Sequence, residues 1–456
     1  MTAHDVSIAK TDGRKEAYVL AARNVVKMLF GPPEERSFAV RYWNGEVETP
    51  PGDIEFTLVI RHPAALRRML LPPSELAIAQ SYLFGDVDVV GDMEHAATIA
   101  DLVAKREKSP RRALALLRQL LALPRGADRD SEDDDPESHD ARGLAEGGPA
   151  HSEQRDARAV RFHYDVGNEF YALWLDRQMV YSCAYFARGD ETLDEAQEAK
   201  LDLVCRKLRL APGERLLDIG CGWGALVLHA ARHYGVRATG ITLSERQAEF
   251  ARERVAREKL HDRVTIETRD YRSLDGRETF DKISSVGMIE HVGLARLPAY
   301  FAAAYRSLLP GGLFLNHGIV SIDDARPRSR FDPLWRRLWK RDRFIRRYVF
   351  PDGELVPSSA VIASAEAQGF ELRDVESLRE HYAQTLRHWG RRLECRAAEA
   401  RQIAGDVVYR IWRLYMAGSA RAFASGHIGV IQSLLAKADA MGRVHVPRTR
   451  GDLYAH

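Results

Sequence analysis

The stretch RLLDIGCGWG, residues 215–224, decides the fold of this chain. Its first half, RLLDI (215–219), is a short apolar run that reads as a buried strand. Glycines follow at 220, 222 and 224. Glycine tolerates positive φ and lets backbone come close to a ligand. A helix is predicted next, over 226–234, and its N-terminus offers unsatisfied N–H groups. Strand, glycine turn and helix in this order form a nucleotide-type corner. The spacing is G-x-G-x-G, not the G-x-G-x-x-G of dinucleotide sites. Those sites also want an acid at the end of the second strand. The predicted second strand, 236–241, runs into Gly240-Ile241-Thr242, with no acid. A tight structural turn is the plainer reading of Asp218 and Gly220.

Downstream, strands and helices keep alternating. A helix is expected over 244–259, opened by Ser244 and Gln247 as a capping-box pair. Strands are expected over 264–267, 282–286 and 313–317, with a helix over 297–308 between the last two. A helix resumes over 361–365, and the tail from 384 to 437 reads as mostly helical. Such alternation predicts an α/β, doubly wound parallel sheet. In open sheets of this kind the ligand crevice lies at the carboxyl ends of the strands. Glu290 follows the fourth predicted strand and His317 ends the fifth, so both fall on the side of the glycine turn.

Upstream, residues 13–105 read as a small α+β unit. Strands are expected at 54–60 and 86–90, and helices at 62–71 and 74–84. Residues 110–123 (PRRALALLRQLLAL) form an amphipathic helix. It docks on its own domain in the plain reading and lies on a membrane surface in the sharper one. Residues 125–157 are acidic and nearly free of large apolar side chains, which predicts a disordered linker. The expected organisation is an N-terminal unit over 1–124, the linker, and a larger domain over 158–456.

Composition narrows the function classes. The 456 residues carry a net charge of +2, so no global field points to nucleic acid. The spacing of Cys183, Cys205, Cys221 and Cys395 fits neither a zinc site nor a disulfide framework. A reducing, cytoplasmic setting is expected. No run of about 18 apolar residues is present, so no membrane span is expected. One local bias stands out. RPRSRFDPLWRRLWKRDRFIRRYVF (326–350) carries ten Lys or Arg residues interleaved with Phe331, Trp335, Trp339, Phe344 and Tyr348. Basic and aromatic residues together suit an anionic lipid surface and also single-stranded nucleic acid.

Further strings accompany the turn in a fixed order: HYDVGN (163–168), YSCAYF (181–186), GITLSERQ (240–247), DYRSL (270–274), SSVGMIEHVG (284–293), NHGI (316–319) and VFPDGELVPS (349–358). With Asp218 before the turn and Asp270 after the third strand, the pattern resembles the class I methyltransferase fold, a Rossmann-like doubly wound sheet. The whole set, over roughly 160–440, resembles the cyclopropane-fatty-acyl-phospholipid synthases, which include mycolic acid methyltransferases. The segment before the linker is similar to the N-terminal domain of the phospholipid-acting members, and helical additions close the C-terminus.

The resemblance implies S-adenosylmethionine as methyl donor. It places Tyr181, Ser182, Asp218, Gly220, Cys221, Gly222, Trp223, Gly224, Thr242, Gln247, Asp270 and Tyr271 at that cofactor. It implies an unsaturated phospholipid in the membrane as partner, not nucleic acid, with the enzyme peripheral on the inner face and a homodimer as its assembly. It also implies bicarbonate as base, held by Cys183, Glu290, His317, the Ile319 N–H and Tyr382. Each residue has a plainer reading: Cys183 as a small buried hydrophobe, His317 as a satisfied core histidine, Glu290-His291 as a surface pair with His291 the bystander. Tyr164, Phe170, Tyr185 and Phe350 are candidates for stabilising a cation through their π faces, or for ordinary packing. The chain departs from the family's pattern at Ile289, where Phe is usual, and at Gly318, where Thr is usual. Those departures leave open a methyl-branched or methylene product in place of a ring. A methyltransferase acting on a small molecule or RNA, and a non-catalytic lipid binder with a vestigial site, are the further alternatives.

Overall fold

A computed structural model describes residues 3–99, 109–125, 166–274, 276, 279–322 and 343–454. Nearly all of the expected linker and most of segment 326–350, Arg336 and Arg337 included, lie outside the described residues. The chain forms two compact units.

The smaller unit holds a four-stranded sheet of β1 (Phe38–Arg41), β2 (Val47–Glu48), β3 (Phe56–Ile60) and β4 (Val87–Gly91), in the order β2-β1-β3-β4. β3 buries Phe56, Leu58, Val59 and Ile60, and Phe56 stacks on Phe38 of β1 with ring centroids 4.8 Å apart. The expected helices form over Ala65–Leu70 and Glu75–Leu83, the second capped by the Ser74 side chain. The long helix Ala3–Phe30 and the strands β1 and β2 are additions to the expected elements. Residues 343–349 and 405–421 also belong to this unit. The chain re-enters it at Gly405, whose φ of 84° breaks the helix Ala397–Ala424. Arg410 then donates to the Tyr82 carbonyl and to Asp88.

The leucine-rich helix Pro110–Ala122 packs on this unit. Leu120 and Leu123 are buried, Arg112 donates to the Met28 carbonyl and Arg67 to the Leu123 carbonyl, both at 2.6 Å. Its other face stays in solvent, with Leu114, Leu117 and Leu121 exposed by 50, 38 and 53%.

The larger unit holds β5 (Arg215–Ile219), β6 (Arg237–Thr242), β7 (Val264–Thr268), β8 (Phe280–Val286), β9 (Leu308–Ser321), β10 (Val356–Pro357), β11 (Glu371–Ser377) and β12 (Ile428–Ala436). Their order is β11-β12-β9-β8-β5-β6-β7, with β10 on β9. β12 runs antiparallel to both its neighbours, and the other pairings are parallel. Alternation along each strand feeds two cores: Leu216, Leu313 and Leu315 into one, Leu217, Ile219 and Phe314 into the other. The doubly wound α/β expectation holds. One part of the tail does not: residues 428–436 are a strand, not helix. IGVIQSLLA is buried along almost its whole length between β9 and β11. A mostly apolar run whose polar residues, Gln432 and Ser433, fall together instead of alternating suits a central strand as well as a buried helix. Among the described residues, no helix is long and apolar enough to cross a membrane.

β6 passes tightly under the glycine turn. A Cβ at Gly240 would stand 2.8 Å from the Cys221 Cβ and 2.9 Å from its sulfur. Gly240→Ala is expected to lower stability by about 1–3 kcal/mol, read as a shift of the urea midpoint. An unchanged midpoint would mean that the turn and strand are not locked together.

Candidate active site

The glycine turn is held from beneath. Gly220 and Cys221 N–H groups both donate to the Ile241 carbonyl, at 2.9 and 3.0 Å. A Cβ at Gly220 would meet Met288 at 2.6 Å, whereas one at Gly222 would meet nothing within 4 Å. The turn is therefore packed on one side and open on the other. It opens into a cavity lined by Tyr181, Ser182, Asp218, Gly220, Cys221, Gly222, Trp223, Thr242, Gln247 and Tyr271, together with Lys200, Met288 and His291. His291, the expected bystander, is thus on the wall. Two expected residues do not line it. Gly224 lets the following helix approach Ala251, where an added Cβ would lie 3.0 Å from the Ala251 Cβ. The Asp270 carboxylate is engaged by Arg272, through the backbone at 2.8 Å and the guanidinium at 2.6 Å.

Ser244 caps its helix by accepting from the Gln247 N–H at 3.4 Å. The reciprocal half of the expected capping box is replaced. The Gln247 side chain accepts instead from the Thr242 hydroxyl at 3.1 Å, which aligns both on the cavity wall. Trp223 donates its indole N–H to Asn168 at 2.8 Å and packs on Tyr171. From there Trp174, Tyr181, Trp389 and Tyr382 follow in ring contact.

Helix Leu193–Leu208 underlies the YSCA segment (181–184), and two of its polar residues escape the motif reading. Gln197 donates to the Val180 and Ser182 carbonyls, at 3.3 and 2.9 Å. Lys200, 2% exposed, donates to the Ser182 hydroxyl at 2.7 Å. Burial draws its ammonium down to about 8, with Cys183, Asp176 and Asp218 opposing. Asp218 itself is pushed up to about 6 by burial, against a 2.7 Å bond from Ser284. A signal for both existed in the helical period: 197, 200, 204 and 208 share the core-facing stripe.

Glu290 stands on a short helix, Ile289–Val292, directly after β8. Its Oε1 accepts from the Ile319 N–H at 2.8 Å, and its Oε2 is buried with no hydrogen-bond partner among the described residues. Burial pushes this carboxyl up to about 7. His317 sits on β9 opposite Val286, and its Nδ1 lies 3.1 Å from the Gln432 side-chain nitrogen. Burial, with Lys200 and Lys207 nearby, holds its imidazole well below the usual range. The Cys183 thiol is fully buried beside the Leu378 carbonyl at 3.6 Å, and burial pushes its ionisation far up. Tyr382 bonds through its N–H to that same carbonyl, and the Leu378 N–H bonds to Val430, the β12 partner of Ile319. Cys183 and Tyr382 thus share the Leu378 carbonyl, and Glu290 is bonded to Ile319; none of the five expected residues lines the glycine-turn cavity.

The two departures at 289 and 318 are one coupled change. A Cβ on Gly318 would lie 2.2 Å from Ile289 Cγ1 and 3.5 Å from Glu290 Oε2. Ile289 therefore occupies the space that a side chain at 318 would need. Of the aromatic candidates, Phe170 is fully buried against Trp174, Tyr185 stacks on His381 at 4.9 Å, and Phe350 meets His291 at 5.7 Å. Tyr164 lies outside the described residues.

Glu290 couples the site to stability. An unfolded glutamate ionises near 4.3, while Glu290 keeps its proton to about 7. Its contribution is full below the lower value, declines as pH rises through that window, and stays lost above it. Glu290→Gln is expected to be more favourable at pH 8 than at pH 4, by up to about 3 kcal/mol. Urea unfolding at both pH values measures this, and an equal effect at both would contradict it.

Comparison with known proteins agrees with this geometry. The family described as mycolic acid cyclopropane synthetase matches residues 151–433. A probable fatty acid methyltransferase of Pseudomonas putida is 39% identical over 416 residues, spanning 91% of this chain and 95% of its own length. Cyclopropane mycolic acid synthase 1 of Mycobacterium tuberculosis is 38% identical over 273 residues, 60% of this chain and 94% of its own. The solved structure of the mycolic acid cyclopropane synthase CmaA1, complexed with SAH and CTAB, superposes with a TM-score of 0.57 at 37% identity, covering 62% of this chain and 98% of that one. With its class I methyltransferase sheet, its glycine-turn cavity and these matches, the chain belongs to the mycolic acid cyclopropane synthetase family of S-adenosylmethionine-dependent, lipid-modifying enzymes.

Proposed function

We propose that the protein transfers a methylene unit from S-adenosylmethionine across the cis double bond of an unsaturated phospholipid acyl chain, leaving a cyclopropane ring. The observation that carries this reading is the buried Glu290 Oε2, on the helix after β8, and the buried His317 of the adjacent strand β9, beside the cavity of the glycine turn.

The cavity suits the methyl donor. Gly222 leaves room for a ligand to lie on the backbone, and Tyr181, Ser182, Thr242 and Gln247 offer polar groups around it. Lys200 places a buried positive charge behind Ser182, on the side where the methionine carboxylate would be neutralised. In the reaction the alkene π pair forms a bond to the methyl carbon, and the C–S pair stays on sulfur, giving S-adenosylhomocysteine. A proton then leaves the added carbon, and its C–H pair closes the ring. Water must be kept out, because it would capture the cation. The apolar and aromatic packing from Trp223 to Tyr382 does this and offers π faces to positive charge, at about 0.5–2 kcal/mol each.

Bicarbonate, bound among Cys183, Glu290, His317, Ile319 and Tyr382, would supply the base. The orphaned Glu290 Oε2 fits a group that brings a donor, as a bicarbonate O–H does. The Ile319 N–H is already given to Glu290 Oε1, so Glu290 and an anion would share that amide.

A second reading has its own support. The Pseudomonas putida relative, which matches nearly the whole chain, is a probable fatty acid methyltransferase. The Ile289–Gly318 exchange reshapes the wall beside Glu290. After a hydride shift, loss of a proton from the added carbon would give a methylene chain, and loss of a chain proton a methyl-branched alkene.

The lipid is met at the inner membrane face, from a cytoplasmic enzyme that acts as a homodimer. The basic and aromatic residues of 326–350 and the exposed Leu114, Leu117 and Leu121, flanked by Arg111 and Arg118, suit an anionic bilayer. Replacing Arg336, Arg337, Arg343 and Arg346 by Glu is expected to abolish sedimentation with anionic vesicles, and unchanged sedimentation would end the docking proposal. For the reaction itself, expression in a host lacking cyclopropane lipids should yield fatty acids with upfield cyclopropane protons, absent with Glu290→Ala. A methyl signal in their place would select the branched product, vinylidene protons the methylene one, and unmodified lipids would reject all three.

A further inference from the structure

His317 is held by a chain of buried residues that leads away from the cavity. Gln432 of β12 lies opposite it and is 1% exposed. The Gln432 side-chain nitrogen is 3.1 Å from His317 Nδ1, and its oxygen accepts from Lys207 at 2.6 Å. Lys207, also 1% exposed, is anchored in turn by the Glu376 carboxylate.

An amide side chain can be placed two ways round, and a histidine ring carries its proton on either nitrogen. Here the chemistry of Lys207 removes the choice. An ammonium has donors only, so it must face the amide oxygen. The amide NH2 is then turned to His317, and Nδ1 must accept from it. An Nδ1–H, whether in the other neutral tautomer or in the imidazolium, would set donor against donor at 3.1 Å. The cations near the ring, Lys200 and Lys207, oppose a further positive charge, and the Glu376 carboxylate is taken up by Lys207.

We infer that Gln432 is a positioning residue: with Lys207 and Glu376 it fixes His317 in the tautomer whose single proton sits on Nε2. His317 then serves as a hydrogen-bond donor through Nε2–H and has no free lone pair with which to take a proton. The ring-closing deprotonation is left to another group, and the histidine's part is to steady an oxygen or an anion. The catalytic consequence rests on the function proposed above. The position of the proton does not.

Nitrogen-15 NMR of the full-length enzyme labelled at its imidazoles tests this, with a His317→Asn sample to identify the resonances. The expected spectrum has an unprotonated Nδ1 and a protonated Nε2, unchanged between about pH 6 and 8. A proton on Nδ1, or an imidazolium signal in that range, would overturn the inference. In Gln432→Glu the carboxylate pairs with Lys207 and accepts from the ring, so the proton should move to Nδ1. Lipid product formation should then fall at least about tenfold, with S-adenosylmethionine binding within about twofold of the parent. A ring that keeps its Nε2 proton in this variant would remove Gln432 from the role. Should the variant not fold, the spectrum of the parent enzyme still decides the tautomer. If the tautomer is as stated but no lipid is modified, the functional reading fails alone. If lipid is modified and the proton lies on Nδ1, this inference fails alone.

Discussion

Glu290, on the short helix after β8, and His317, on β9 level with the last residue of β8, keep the Glu290 Oε2 and the His317 ring out of water, and keeping two ionisable groups there sets the terms for their neighbours. Charge in such a place is costly unless it is paired. Glu290 answers by holding its proton to about 7, and His317 by staying neutral. The nearby cations are themselves tied down: Lys207 by Glu376 and Gln432, Lys200 by Ser182. The proposed carbocation would require this dryness, since water would intercept it.

The same economy of space explains the two departures from the family pattern. Ile289 and Gly318 fill one volume between them, so neither can be changed alone without opening or crowding the wall against Glu290. In the proposed reaction the shape of the acyl pocket would thereby be linked to Glu290. Second-layer residues matter for a related reason. Gln197 and Lys200 bond to the YSCA segment and hold the cavity wall in place.

Much of this was legible in the residues themselves. RLLDI followed by three glycines specifies a strand and a turn with little freedom, and β5 spans Arg215–Ile219 as expected. The placement of Glu290 and His317 on the glycine side follows from strand polarity alone. β12 is the clear failure. Its run of apolar residues carries no period, and only the pairing partners on either side, which are remote in sequence, make it a strand. Lys200 was hidden for another reason. Lysine reads as surface by composition, and only its place on the core-facing stripe marks it as buried. The return of residues 405–421 to the first unit depends on the break at Gly405, a conformation that sequence pattern does not reveal.

The central claim is that the added carbon loses a proton and closes a ring. Supplying S-adenosylmethionine with a fully deuterated methyl group tests it at the atom concerned. The account predicts an acyl product that gains one carbon and retains two of the three deuterons, because the third leaves as the ring closes. A product retaining all three would place the proton loss elsewhere in the chain, and one retaining two but keeping a carbon–carbon double bond would be the methylene chain; either contradicts it.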